Sequence, residues 1–150
     1  MDKLVIKEKH IKAYMKTAEI FAECSTATRL HVGAIIVKDD TIISIGYNGM
    51  PSGWDNNCEY VFRHPQTKIE ELVTRKEVLH AESNAIAKLA KSSQSGSDAS
   101  IFITHAPCLD CAKLIYQSGI SSVYYRNSYR DMAGVDFLKK CNIDIKQVDV

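Results

Sequence analysis

No apolar run in the chain reaches the ~18 residues of a membrane-spanning helix, so insertion in a bilayer is not expected. Residues 1–14 hold no apolar stretch followed by a small-residue cleavage site, so no secretory signal is expected either. Neither sign of charge is in excess: 19 Lys and Arg face 18 Asp and Glu, for a net charge of +1. Dedicated nucleic-acid binders usually carry a strong basic patch, so no nucleic-acid partner is expected, while a small anionic ligand stays open. The five cysteines are odd in number and come without a signal sequence, which argues against a secreted disulfide framework. There is no internal repeat, and the one flexible-looking stretch, residues 92–98, suits a surface connection better than a domain boundary. At 150 residues the expectation is one domain over residues 1–150, located in the cytoplasm, or in the host cytoplasm if the chain is viral.

Residues 11–22 set Ile11, Tyr14, Met15, Ala18, Phe21 and Ala22 at helical spacing. Two β-branched runs, 32–37 and 41–45, flank Lys38-Asp39-Asp40 and predict an antiparallel hairpin. Turn residues from Gly46 to Gly53 open a long loop that holds Trp54. Residues 67–91 are helix-friendly and are expected to form two segments broken near Leu79-His80. Beyond them strand, helix, strand, helix and strand are expected at 100–104, 108–118, 122–126, 134–141 and 143–148. A hairpin followed by such alternation implies a layered α/β domain on a mixed five-stranded sheet, its later strands parallel.

Two short motifs carry the chemistry, His80-Ala81-Glu82 and Pro107-Cys108-Leu109-Asp110-Cys111, each at an expected helix start. Cysteines at i and i+3 share one face of a turn and both sulfurs reach one ion. A helix N-terminus favours the thiolates that a metal needs. With His80 they make three ligands, and zinc in catalytic sites leaves the fourth position to water. Glu82, roughly 200° around the helix from His80, does not join the ion but can flank that water and take its proton. That arrangement fits hydroxide attack on an amidine-like carbon with loss of ammonia, and the combined signature is that of the zinc nucleobase deaminases. Two other readings compete. A zinc ribbon completed by Cys58 or Cys24 needs a second close cysteine pair, which is absent, and a thioredoxin-like dithiol leaves His80 and Glu82 unexplained.

The match is wider than the metal motif. Val32-Gly33-Ala34-Ile35-Ile36-Val37, Gly46-Tyr47-Asn48-Gly49-Met50-Pro51-Ser52-Gly53, His80-Ala81-Glu82-Ser83-Asn84-Ala85-Ile86, Pro107-Cys108-Leu109-Asp110-Cys111-Ala112-Lys113 and Gln117-Ser118-Gly119-Ile120 follow in order. Over about residues 25–130 the chain closely resembles the deoxycytidylate (dCMP) deaminases, including those of bacteriophages. The resemblance implies a three-layer α/β/α cytidine-deaminase-like fold and hydrolysis of dCMP to dUMP and ammonia. It also implies a homo-oligomer, often a hexamer, activated by dCTP and inhibited by dTTP, each accompanied by Mg2+.

By that similarity His80, Cys108 and Cys111 hold zinc, Glu82 shuttles protons, Asn48 bonds the sugar and the Ala81 backbone reads the pyrimidine. Tyr129 falls where the family places a tyrosine on the nucleotide. The loop of Gly46, Tyr47, Asn48 and Gly49 borders the effector site, and Lys91 faces an effector or an adjacent subunit. The bland alternatives are a turn-forming Asn48, a core Tyr129 and a solvated Lys91. For the substrate phosphate, Ser25 and Arg29 offer hydroxyl and cation, with Arg126 and Arg130 as further candidates. A second, structural zinc as in some phage relatives would draw on Cys24, Cys58 and His64. Residues 70–79 lack the histidine such a set needs, and those three are read as non-metal. The other readings kept open are a deaminase of tRNA adenosine or of a free nucleoside, and a non-catalytic zinc-binding module.

Overall fold

Two strands that are buried almost throughout, β1 (Gly33–Lys38) and β5 (Ser100–His105), form the middle of the molecule. In the computed structural model, which describes residues 5–150, they lie antiparallel, with Ile35 opposite Phe102 and Ile36 opposite Ile101. Residues 1–4 of the stretch read above for a leader lie outside the described residues. On the far side of β1 lies β2 (Thr41–Tyr47), its antiparallel partner across the tight turn at Asp39 and Asp40. On the far side of β5 come β6 (Ser122–Asn127) and then β7 (Asp144–Gln147), both parallel to their neighbours. The order β2-β1-β5-β6-β7 is the mixed five-stranded sheet expected from the sequence.

Alternating side chains divide this sheet between two helical layers, since successive strand residues face opposite ways. Ile35, Val37 and Phe102 pack against Ile11, Met15 and Ala18 of α1 (Glu8–Ala22). On the other face Ala34, Ile36, Ile101, Ile103 and Val123 meet α2 (Ala81–Ala90), α3 (Leu109–Gln117) and α4 (Ala133–Lys140). The result is the three-layer α/β/α architecture. Among the described residues no helix is long and apolar enough to cross a membrane.

One expectation is corrected. Residues 67–78 do not form a helix, and the region after Trp54 is not all loop. Glu59–Arg63 and Glu70–Thr74 are strands β3 and β4 of a separate two-stranded sheet, with Glu59 opposite Thr74 and Arg63 opposite Glu70. The helix preference of Glu70, Glu71 and Leu72 is worth only tenths of a kcal/mol per residue. Cross-strand pairing outweighs it, because Tyr60, Val61 and Phe62 face Val73, Leu72 and Glu71 across the ladder. Only the second expected helical segment is helical, as α2.

Two glycines let the sheet and helices close on the future site. A methyl group on Gly46 in β2 would lie 2.3 Å from the Ala81 carbonyl oxygen and 2.7 Å from the Ala85 nitrogen, so strand and helix touch backbone to backbone. On Gly134 in α4 it would lie 2.2 Å from the Pro107 carbonyl oxygen. The first turns of α2 and α3 are thus each backed by a residue without a side chain. Overpacking of this kind costs about 1–3 kcal/mol, so Gly46→Ala should lower Tm by roughly 2–12 °C in thermal unfolding. Gly49→Ala, where nothing lies within 4 Å of the added carbon, is the control and should leave Tm nearly unchanged.

Candidate active site

Helix α2 begins at His80 and helix α3 at Cys108, each the N-cap residue in an extended backbone conformation. N-cap side chains usually accept a bond from the first turn, but neither of these does so, and both are turned to one another instead. His80 Nδ1 stands 3.6 Å from Cys108 Sγ and 3.3 Å from Cys111 Sγ. Cys111 is one turn into α3, so its sulfur shares a face with that of Cys108. The three donor atoms all lie within 4.8 Å of one another, the one grouping of three or more such donors among the described residues. Glu82, in the first turn of α2, is buried with 5 % of its surface exposed.

The electrostatics of the cluster test its fitness for a cation. Hydrogen bonds from Cys111 and His80 pull the Cys108 thiol down to about 4. The same contact with Cys108, together with burial, pushes Cys111 up. The two sulfurs are thus coupled: loss of a proton from one opposes its loss from the other. A divalent cation between them removes that conflict, because it stabilises both thiolates at once. Burial pushes the Glu82 carboxyl up to about 7, and it hydrogen-bonds Cys111. A group in that range both accepts and returns a proton near neutral pH. Two sulfurs and one imidazole are donors that suit zinc.

His80 and Cys108 of the cluster, with Glu82, border a cavity of about 480 Å³. Ala81, Asn48, Arg29 and Tyr129, singled out from the sequence, also border it. Asn48 uses part of its amide to fix the backbone of two further lining residues: Val32 N–H donates to its Oδ1 and its Nδ2 donates to the Leu30 carbonyl, both at 2.8 Å. Each of those atoms keeps one further hydrogen-bonding position. Arg29 holds Thr74 Oγ1 through Nη1 at 3.2 Å. Tyr129 is 37 % exposed at the rim, a surface aromatic and not a core one.

Other expected residues lie elsewhere. Ser25 is buried, its Oγ accepts the Ala27 N–H, and it does not border the cavity. Arg126 pairs with Glu19 of α1, whereas Arg130 does border the cavity. Gly46 and Tyr47 abut α2, and Gly49 exchanges two backbone hydrogen bonds with Leu79. Lys91 is exposed at the C-terminal cap of α2, the opposite end from His80. Cys24 is exposed, Cys58 Sγ contacts Thr26 Oγ1, and His64 pairs with Glu71.

Sequence reasoning missed Glu59, Thr74 and His105, all of which border the cavity. The first two are partners in the unexpected hairpin, so no local motif could have placed them. His105 precedes the cysteine motif and is fixed through a chain of bonds. Gly33 N–H donates to Thr104 Oγ1 at 3.1 Å, and Thr104 Oγ1 lies 3.0 Å from His105 Nδ1. The buried hydroxyl has no other acceptor among the described residues, so its proton goes to Nδ1 and the ring carries its own proton on Nε2. Burial holds this imidazole below its ordinary value, which keeps it neutral at neutral pH. Long-range proton–nitrogen NMR should therefore show His105 as the Nε2–H tautomer at neutral pH. The Nδ1–H pattern would contradict this hydrogen-bond chain.

Comparison with known proteins agrees with the geometry. The cytidine and deoxycytidylate deaminase zinc-binding region matches residues 8–127. ComE operon protein 2 of Bacillus subtilis is 33% identical over 91% of this chain and 70% of that protein. The deoxycytidylate deaminase of Enterobacteria phage T4 is 31% identical over 89% of this chain and 87% of its own. Among solved structures, the dCMP deaminase from cyanophage S-TIM5 in complex with dCMP and dUMP superimposes with a TM-score of 0.86. It is 43% identical, over 96% of this chain and 100% of the other.

Proposed function

This chain belongs to the cytidine and deoxycytidylate deaminase family, and from that premise we propose that it hydrolyses dCMP to dUMP and ammonia. The observation that carries the reading is the meeting of His80, Cys108 and Cys111 beside buried Glu82 at the border of a cavity of about 480 Å³. In this proposal the three residues hold one zinc ion. When bound, zinc supplies a Lewis acid that makes a water molecule acidic near neutral pH. Glu82 takes a proton from the attacking water and delivers it to the ring nitrogen N3. Once the oxygen–C4 bond has formed, the same carboxylate takes the remaining proton of that oxygen and passes it to the C4 amino group, which leaves as ammonia as the C4–nitrogen bond breaks. Its raised affinity for protons, the result of burial, suits both halves of that exchange.

The remaining contacts follow from what faces the cavity. The N–H of Ala81 is among the first of α2 and has no intrahelical acceptor, which leaves it to read the pyrimidine. The free valences of Asn48 are assigned to the sugar. Arg29 is assigned to the phosphate with Tyr129 and Arg130 beside it, and Ser25 acts only by shaping the loop before Arg29. The family resemblance extends the proposal to a single domain over residues 1–150, a cytoplasmic location and a homo-hexamer. It further extends to activation by dCTP and inhibition by dTTP, each with Mg2+, at Gly46, Tyr47, Asn48, Gly49 and Lys91.

Ammonia release from dCMP, deoxycytidine, cytidine and a tRNA anticodon stem tests the substrate. Turnover of dCMP alone is expected, and turnover of a nucleoside with dCMP inert would overturn the reading. Glu82→Gln should lower kcat about 10²–10⁴-fold while elemental analysis still finds one zinc per chain. Cys111→Ser should lose the zinc as well as the activity. Regulation is checked by dCMP saturation curves, which dCTP-Mg should shift to lower and dTTP-Mg to higher substrate concentration.

A further inference from the structure

The mechanism above makes no use of the imidazole of His105, although it borders the cavity. The alternation of β5 places it. Ile101 and Ile103 face the helical layer of α2 and α3, Phe102 faces α1, and His105 is the next residue on the first of these faces. It stands at the carboxyl end of β5, shortly before Cys108. Its partner on the parallel strand β6 is Asn127, and Ser128, Tyr129 and Arg130, which follow, border the cavity as well.

Nδ1 of His105 is taken by the Thr104 hydroxyl, so Nε2 carries the ring proton. Nε2 has no protein partner among the described residues. No fully sealed side-chain nitrogen or oxygen among them lacks a partner, so this N–H is open to solvent, and the cavity is what His105 borders. A donor of fixed tautomer thus stands at the ends of β5 and β6, on the side from which Tyr129 and Arg130 come.

The orientation of the substrate decides what that donor meets. With C4 at the His80–Cys108–Cys111 cluster, N3 at Glu82 and O2 at the Ala81 N–H, the N3–O2 edge of the pyrimidine faces α2. Helix α2 lies over β1 and β2, to one side of β5. The C5–C6 edge therefore faces the other way, towards β5 and β6. That edge carries only C–H bonds and offers His105 no acceptor. In the anti conformation that pyrimidine nucleotides favour, the 5′ carbon lies on the C6 side, and the strong acceptor in that direction is the 5′-phosphate. An N–H aimed at an ionised phosphate makes a charge-assisted bond.

We propose that His105 Nε2–H donates a hydrogen bond to the 5′-phosphate of the bound deoxynucleotide and so favours nucleotide over nucleoside. The assignment rests on the dCMP deaminase reading. A hydrogen bond to a charged group corresponds to roughly 10–100-fold in affinity. NMR titration of the zinc-loaded protein with the product dUMP and with deoxyuridine measures that difference without turnover. In His105→Leu, which fills the space but has no donor, dUMP should bind weaker by about that factor, with deoxyuridine unaffected. His105→Gln restores an amide N–H and should recover most of the loss. Equal weakening of both ligands in His105→Leu, with no recovery in His105→Gln, overturns the assignment and leaves the deaminase reading standing.

A second measurement needs no variant. Saturating dUMP should move the His105 Nε2–H resonance of the wild type and slow its exchange with water, and saturating deoxyuridine should do neither. A resonance unmoved by dUMP, or moved equally by deoxyuridine, overturns the assignment. Wild-type protein inert towards dCMP overturns the deaminase reading and the assignment with it.

Discussion

Two sulfurs held close together in a partly buried place cannot both lose their protons without a positive charge between them. That constraint sits at the junction of α2 and α3, and much of the surrounding architecture follows from it. Both helices point their N-termini at the cluster, where the partial positive charge of the unpaired amides favours anionic sulfur. Their N-cap residues, His80 and Cys108, give up the capping bonds that a serine or aspartate would make, and the helices rely on packing instead. Ala85, Leu89, Ala112 and Ile115 supply that packing against Ile36, Ile101 and Ile103 of the sheet. The cluster is therefore held by the largest of the cores, not by its own polar contacts.

The metal end was legible because its information is local. A histidine and glutamate two apart, and two cysteines three apart behind a proline, state their geometry once a helix start is assumed. The central sheet was legible for a related reason, since runs such as 32–37 and 100–104 are apolar enough to be buried on both faces. Glu59 illustrates the opposite case. Its burial depends on the amides of Thr28 and Arg29, some thirty residues earlier, and on a strand pairing that Glu70, Glu71 and Leu72 do not advertise. Ser25 offered a hydroxyl in a plausible place, but the local turn at Ala27 takes it up. Local polar chemistry was thus read well where it defines a helix start and poorly where a turn competes for it.

The cavity divides the labour between two substructures. The reacting end is built on helices anchored to the five-stranded sheet. Another part of the lining, Glu59 and Thr74, belongs to the separate hairpin β3–β4, whose residues Tyr60 and Val61 are exposed. Arg29 ties the segment between α1 and β1 to this hairpin, to Glu59 through its backbone and to Thr74 through its side chain. The His80–Cys108–Cys111 cluster and Glu59 therefore rest on elements that fold around different neighbours.

The closeness of β2 to α2 has a mechanical side. Strand and helix meet at Gly46 with no side chain as a cushion, and Gly49 is laced to Leu79 immediately before His80. The short span from Gly46 to Gly49 is thus fastened at both ends to the segment that carries the imidazole, so loop and helix start are one mechanical unit.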